Sequence, residues 1–446
     1  MSTIAAISTP HGVGGIAVVR LSGADAFTIA AKHLQLPRNG RDMGFSLFRR
    51  NDDVLDEVVM SLFHAPHSYT GEDVVEISCH GSRYVQQAIL EALLGSGARL
   101  AEPGEFTRRA FLNGKLNLSQ AEAVADLIDS TNAAAHSLAV SQLRGGYAKE
   151  LEQLRQQLVD LTALLELELD FSDEDVEFAD RSSLHSLASQ IYTRVTALRE
   201  SFHMGNALKR GIPVAIIGRP NAGKSSLLNA LLHDNRAIVS DIPGTTRDTI
   251  EETFVINGTP FRIIDTAGLR HSDDPIETLG IQRTLTTVAQ ADIVLYVHDA
   301  SQSYGHALDD LQELQDIRTF KDKHLFIVNN KIDLVPETLT APYRTFPISA
   351  KEGTGLDALT SALAKAAQTD LAQAPDVMLT NVRHYDALGH VEQALLHVAK
   401  GLADQLPADL VVIDLRDALH HLGTITGQVT SDEVLGTIFS RFCIGK

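Results

Sequence analysis

Apolar and polar residues alternate along this chain with two different periods, and the changes of period mark its organisation. From Met1 to about Leu116, short runs with a two-residue period alternate with helical stretches, among them Ile16-Ala-Val-Val-Arg-Leu21, Glu57-Val-Val-Met-Ser-Leu-Phe63 and Asp73-Val-Val-Glu-Ile-Ser78. They predict a compact α/β domain over residues 1–116. No proline then occurs between Pro103 and Pro213, and Ser119-Gln-Ala-Glu122 has the spacing of a capping box opening a long apolar-periodic region. Residues 117–208 are therefore predicted helical, with the acidic run from Asp170 to Asp180 read as an exposed loop. Over 209–370 strands and helices alternate, the pattern of a parallel sheet. After Pro375 helical spacing returns, with apolar residues at Leu410, Val411, Ile413, Leu415, Leu419 and Leu422. A tail as short as 371–446 scarcely builds its own core, so its expected partner is the earlier helical stretch. The fold class that follows is multidomain α/β plus α: an amino-terminal α/β domain, a discontinuous helical domain, and a third domain inserted into it.

The inserted domain carries the most specific chemistry. The strand ending at Ile217 runs into Gly218-Arg-Pro-Asn-Ala-Gly223-Lys224-Ser225, the G-x-x-x-x-G-K-[ST] phosphate loop of a Ras-like nucleotide-binding domain. Its glycines let successive N–H groups face phosphates, Lys224 reaches the β/γ oxygens, and the Ser225 hydroxyl binds Mg²⁺. Further along, Asp265-Thr266-Ala267-Gly268 follows the strand Phe261–Ile264, which brings Asp265 toward the Mg²⁺ shell and the Gly268 N–H toward a γ-phosphate. Asn330-Lys331-Ile332-Asp333 follows another apolar strand, and the Asp333 carboxylate can accept both guanine donors, a pair that adenine lacks. Ser349-Ala350-Lys351 completes the base pocket. Specificity for GTP thus rests mainly on one carboxylate.

Leu269 stands where Ras-like proteins place the glutamine that orients the attacking water. Phosphoryl transfer depends on positioning and electrostatic stabilisation, so positive charge and a water-positioning group must come from elsewhere. Asn221, whose side-chain carbonyl can bind a monovalent cation, and Glu277, just beyond the D-T-A-G segment, offer themselves. The blander readings are an Asx turn for Asn221 and a solvated helix start for Glu277.

Composition narrows the setting. At 446 residues the chain is long enough for about three domains. Its two cysteines, Cys79 and Cys443, cannot form a disulfide framework, and the start MSTIAAISTP lacks a basic n-region and a long apolar core, which points to the cytoplasm. No run approaches the ~18 apolar residues of a membrane span. A net charge of −19 argues against a surface that grips phosphate backbones all over, leaving small basic clusters at Arg49-Arg50, Arg108-Arg109 and Lys209-Arg210. If RNA is the substrate, a basic partner is expected to supply much of the grip.

Gly244-Thr245-Thr246-Arg247-Asp248, together with the phosphate loop, resembles the bacterial TrmE/Era group of GTPases, and nearly the whole chain resembles its tRNA-modifying branch. The stretches Gly14–Gly23, Tyr69–Glu76 and Pro103–Lys115 resemble that branch's folate-binding domain, and Phe442-Cys443-Ile444-Gly445-Lys446 its terminal signature. The resemblance implies a K⁺ site of Asn221, backbone oxygens at Ser240 and Ile242, and Thr245, and Mg²⁺ held by Ser225 and Thr246. It extends the nucleotide contacts to Ala222, Gly223, Ser226, Asp241, Pro243 and Gly244 beside the residues above. Glu277, Lys224 and Asn221 become the catalytic candidates, with potassium standing where other GTPases use an arginine finger. A reduced folate, 5-formyl- or 5,10-methylene-tetrahydrofolate, would meet Arg20, Glu76, Lys115 and Lys446, with Cys443 offering a thiol nearby. The implied activity is potassium-dependent GTP hydrolysis coupled to modification of C5 of the wobble uridine of certain tRNAs. The implied partners are a second copy of the chain, tRNA and an FAD-containing protein similar to MnmG.

An Era-like GTPase of ribosome assembly is the alternative, but the KH module of Era or the second G domain of Der does not follow residue 370. A folate scaffold with a vestigial nucleotide site is disfavoured because every guanine-site segment is present. Cysteine fourth from the end superficially fits a prenylation motif, but lysine is a poor final residue and nothing upstream is polybasic.

Overall fold

The computed structural model describes residues 2–10, 12–37, 42–170, 181–235, 252–264, 286–302, 323–335, 345–372, 377–440 and 442–445. The chain divides into two compact units, one of residues 1–125, 142–160 and 416–446, the other of 126–141 and 161–415.

In the first unit a six-stranded sheet has the order β3-β4-β5-β2-β1-β6, where β1 is Ile4–Ile7, β2 Gly14–Ser22, β3 Met43–Arg50, β4 Asp53–Phe63, β5 Val74–Gly81 and β6 Arg99–Leu100. All neighbours are antiparallel except β1 and β6. The two-residue period sends Ala17, Val19, Leu21, Val75 and Ile77 into a core shared with α1 (Ala26–Ala30) and α2 (Arg83–Gly95). The opposite face carries Arg20 and Glu76 and leaves Ile16 and Phe45 72% and 79% exposed.

The same unit contains α3 (Glu105–Leu112), the start of α4 (Leu118–Asp129) and α12 (Asp432–Phe439), which share an apolar cluster of Leu118, Ala121, Leu435, Ile438, Phe439 and Phe442. Helix α4 begins earlier than the S-x-x-E spacing suggested. Its capping box is Asn117 with Gln120: Asn117 Oδ1 accepts from the Gln120 N–H at 2.8 Å and Gln120 Oε1 from the Asn117 N–H at 3.0 Å. Ser119 lies inside the helix, buried, and donates to Asn117 Oδ1.

The remaining elements are α5 (Ala133–Leu143), α6 (Gly146–Asp170), α7 (Arg181–Arg210), α8 (Lys224–Asn235), α9 (Leu356–Ala372), α10 (Val382–Ala403) and α11 (Ala408–Thr426). The second sheet has the order β12-β11-β10-β7-β9-β8, with β7 Ile212–Ile217, β8 Thr253–Ile256, β9 Thr259–Ile263, β10 Ile293–Asp299, β11 His324–Asn330 and β12 Thr345–Pro347. It is parallel apart from the β8–β9 hairpin. Central β10 is buried along its whole length, which is why it reads as a nearly continuous apolar run. Beside this sheet α7 packs on α10, where Arg199 pairs with Glu392 at 2.5 Å and sits 4.6 Å over the Tyr385 ring.

Helix α11 turns a different stripe inward than the sequence pattern implied. Val411, Leu415 and Leu422 are buried, joined by Val412, Ala418 and Ile425, while Leu410 and Ile413 are exposed. The acidic segment 171–180 lies outside the described residues.

Candidate functional site

The phosphate loop begins where β7 ends, at the carboxyl edge of the parallel sheet. Gly218 has φ +141°, and a Cβ there would fall 2.2 Å from the Val297 carbonyl of neighbouring β10, so only glycine lets the loop leave the strand this closely. Asn221 turns the loop through the left-handed region at φ +60° with its side chain exposed. Gly223, at φ +94°, precedes Lys224, the first residue of α8. Ser225 and Ser226 follow in the first turn, where backbone donors and the helix dipole favour an anion. Lys224 Nζ donates to the Gly218 and Arg219 carbonyls, each at 2.8 Å, which fastens the loop on itself. Burial pulls the Lys224 ammonium below the usual lysine range, a cost that anionic phosphate oxygens would offset.

Strand β11 delivers Asn330, and just beyond it Lys331 and Asp333, to the same edge. Asn330, buried at its end, donates through Nδ2 to the Ala222 carbonyl at 3.0 Å and accepts the Ala350 N–H on Oδ1 at 3.0 Å. One amide thus holds the phosphate loop, 108 residues earlier in sequence, and the Ser349–Lys351 loop together. Asp333 accepts from the Ser349 hydroxyl at 2.6 Å, which orients its carboxylate.

Lys331, in the left-handed region at φ +66°, pairs with Asp299 at 2.6 Å. Burial raises the Asp299 carboxyl, but hydrogen bonds from Lys331 and Ser301 outweigh it and hold it below the usual carboxylate range. Asp299 is absent from the sequence-derived site. Its signal was an acidic residue closing the apolar strand Ile293–Asp299, ambiguous until β10 is seen beside β11.

These contacts place Asn221 to Ser226, Asn330, Lys331, Asp333 and Ser349 to Lys351 around one sheet edge, in an order suited to a guanine nucleotide. Ser225 fits a Mg²⁺ ligand by its hydroxyl in the first helical turn, and Asn221 fits a cation ligand by an exposed amide in the loop. Ser240, Asp241, Ile242, Pro243, Gly244, Thr245, Thr246, Asp265, Thr266, Ala267, Gly268 and Glu277 lie outside the described residues.

A second constellation lies on the face of the amino-terminal sheet that carries Arg20, where α3 partly covers it. Arg20 and Glu76 face each other across β2 and β5 and pair at 2.7 Å. The Arg20 guanidinium is flanked by the rings of Tyr69 and Phe106, each centred 5.5 Å away. Tyr69 in turn bonds the Thr107 hydroxyl at 2.9 Å, and burial pushes its phenol up. Behind them Arg109, 2% exposed, bonds Glu72 and Glu105, so this member of the basic cluster at 108–109 braces the interior. Lys115 directs its ammonium to the Pro66 carbonyl at 3.0 Å.

The tail docks on this same unit. Ile444 bridges Pro103, the Ser8 hydroxyl donates to the Gly445 carbonyl at 3.1 Å, and the Gly104 N–H reaches the Cys443 carbonyl at 3.4 Å. Cys443 is exposed, and Lys446 lies outside the described residues. No helix among the described residues is long and apolar enough to cross a membrane.

Comparison with known proteins identifies the family of the whole chain. Residues 3–115 match the family model for the GTP-binding protein TrmE N-terminus, and residues 118–443 match the MnmE helical domain. The chain is 49% identical to the tRNA modification GTPase MnmE of Parabacteroides distasonis, covering 100% of both chains. It is 48% identical to that of Bacteroides thetaiotaomicron and 46% identical to that of Flavobacterium johnsoniae, covering 100% of this chain and 99% of each relative. A phosphate loop and an N-K-x-D segment at one sheet edge, embedded in full-length similarity at this level, leave one conclusion: the chain belongs to the MnmE family of tRNA modification GTPases.

Proposed function

We propose that this GTPase hydrolyses GTP in a potassium-dependent manner and, with an FAD-containing partner similar to MnmG, modifies C5 of the wobble uridine of certain tRNAs with a one-carbon unit from reduced folate, in the cytoplasm. The observation that carries the reading is the juxtaposition in one unit of the Arg20–Glu76 pair and the docked tail, in a chain that elsewhere holds a guanine site. Arg20 suits the ligand's polar oxygens or glutamate tail, and Glu76 can accept from the pterin's amino and ring N–H donors. Lys115, Lys446 and the Cys443 thiol are assigned to the same pocket.

In the nucleotide site Ser225 and Thr246 would hold Mg²⁺, and Asn221, Ser240, Ile242 and Thr245 would hold K⁺. The ions supply positive charge at the transferring phosphoryl group. Glu277 orients the water, and Lys224 and the loop amides bind the phosphates. The exposed apolar residues of edge strand β3, Phe45 foremost, support pairing with a second copy through the open sheet face.

Mass spectrometry of wobble uridines from cells lacking the protein tests the reading. Unmodified uridine is expected, and normal modification would overturn it. Replacing K⁺ by Na⁺ at equal ionic strength should lower GTP turnover in the wild type and leave Asn221→Ala indifferent. In calorimetry, Glu76→Ala should lose the heat of reduced-folate binding.

A further inference from the structure

The first unit contains a cavity of about 410 Å³ distinct from both constellations above. It opens where the start of α4, the turn into α6 and the end of α11 meet, at Gln120, Arg144, Lys149 and Thr426. The Gln120 amide is held at both ends: it accepts from the Asn117 N–H and donates to the Leu143 carbonyl, each at 3.0 Å, so it shapes the floor. The Arg144 guanidinium and the Lys149 ammonium form no hydrogen bond or ion pair with any described residue. In the same unit Arg20, Arg50, Arg99 and Arg109 are each paired with a glutamate, and Arg83 and Arg108, like Arg144, have no ion-pair partner among the described residues; what sets Arg144 and Lys149 apart is that both line one cavity in a chain of net charge −19. The two free cations flank the opening turn of α6, whose dipole adds positive potential. The one carboxylate on the wall, Glu152, pairs with Arg155 at 4.0 Å.

We propose that this pocket receives a backbone phosphate of an RNA strand, with the Arg144 guanidinium forked on its oxygens and Lys149 as the second cation. The wall has no aromatic ring on which a base could stack, so the contact is with sugar and phosphate and carries no sequence preference. The volume exceeds what phosphate alone needs and admits the flanking sugars. A basic socket of this kind gives an acidic protein a local grip on RNA without a basic surface. The assignment rests on the tRNA reading above.

The test is titration of the full-length protein with a fluorescently labelled, unmodified tRNA transcript at several salt concentrations, comparing wild type with Arg144→Ala/Lys149→Ala. Losing two cation–phosphate contacts should flatten the slope of log affinity against log salt by about 1.4, so that between about 50 and 200 mM salt the wild type loses about sevenfold more affinity than the variant. The charge-preserving pair Arg144→Lys/Lys149→Arg should keep the wild-type slope, and GTP hydrolysis should be the same in all three proteins, which reports intact folding. Equal affinity and slope in wild type and the alanine variant would overturn the site. If, in addition, millimolar inorganic phosphate raises the thermal midpoint of the wild type alone, the pocket takes free phosphate and the RNA assignment fails. A wild type that binds no tRNA at any salt would overturn the tRNA reading together with it.

Discussion

Replacing Asn330 by alanine removes the single amide that holds the phosphate loop to the base loop. The Ala222 carbonyl it satisfies belongs to a residue 2% exposed, so water cannot replace the lost donor there, and an orphaned buried carbonyl costs about 1–3 kcal/mol. The Ala350 N–H on the other side is only half-buried, and losing its partner costs about 0.5–1.5 kcal/mol. The sum is about 1.5–4.5 kcal/mol. Strand β11 keeps its ladder with β10 in the variant, so the loss falls on the two loops more than on the sheet. At about 1.4 kcal/mol per tenfold, GTP affinity should fall by about 10- to 1,600-fold. Equilibrium titration with a fluorescent GTP analogue reads this, and denaturant unfolding of the same sample separates loosened loops from a destabilised core. An affinity within about twofold of wild type, a difference of about 0.4 kcal/mol, would refute the argument that Asn330 organises the site.

Three further outcomes follow from the same geometry. Asp333→Asn should weaken GTP and favour xanthosine triphosphate, whose 2-oxo group suits an amide donor; competition titration with the two nucleotides checks the inversion. Gly445→Ala would place a Cβ 2.3 Å from the Ile7 carbonyl at φ +98°, so it should detach the tail, abolish wobble-uridine modification and weaken folate binding, while GTP hydrolysis survives. Asp299 has a folded pKa held below the unfolded value of about 3.9, so its stabilising pair with Lys331 is fully present above that value and is lost as pH falls through the folded pKa. Denaturation of wild type and Asp299→Asn should therefore show a stability gap at neutral pH that narrows only below about pH 4.

Much of the nucleotide site was legible because its chemistry is local. The turn from β7 into α8 needs glycines and a lysine at fixed offsets within one loop, and the N-K-x-D segment needs a carboxylate three residues past a strand end. Both depend on consecutive backbone conformations that the residues themselves prefer. The change from a two-residue to a helical period likewise separated the sheets from the helical stretches, since the period follows from backbone geometry. What the period leaves open is which of two overlapping stripes is buried. On α11 Val412, Ala418 and Ile425 face inward while Leu410 and Ile413 do not, a choice set by neighbouring helices. The same holds for charge. Arg109 reads as half of a surface cluster and becomes an internal brace only because the fold brings Glu72 and Glu105 to it.

Motif order alone pointed to a GTP site at a phosphate loop, and periodicity alone divided the chain into sheets and helices, because those features are written in short stretches of consecutive residues. Only the tertiary structure decided that Asn330 holds Ala222, that Asp299 anchors Lys331, and that Gly445 lies against Ile7. These are contacts between residues far apart in sequence, and a side chain's partner over such distances is chosen by strand order, register and packing, none of which a local pattern encodes.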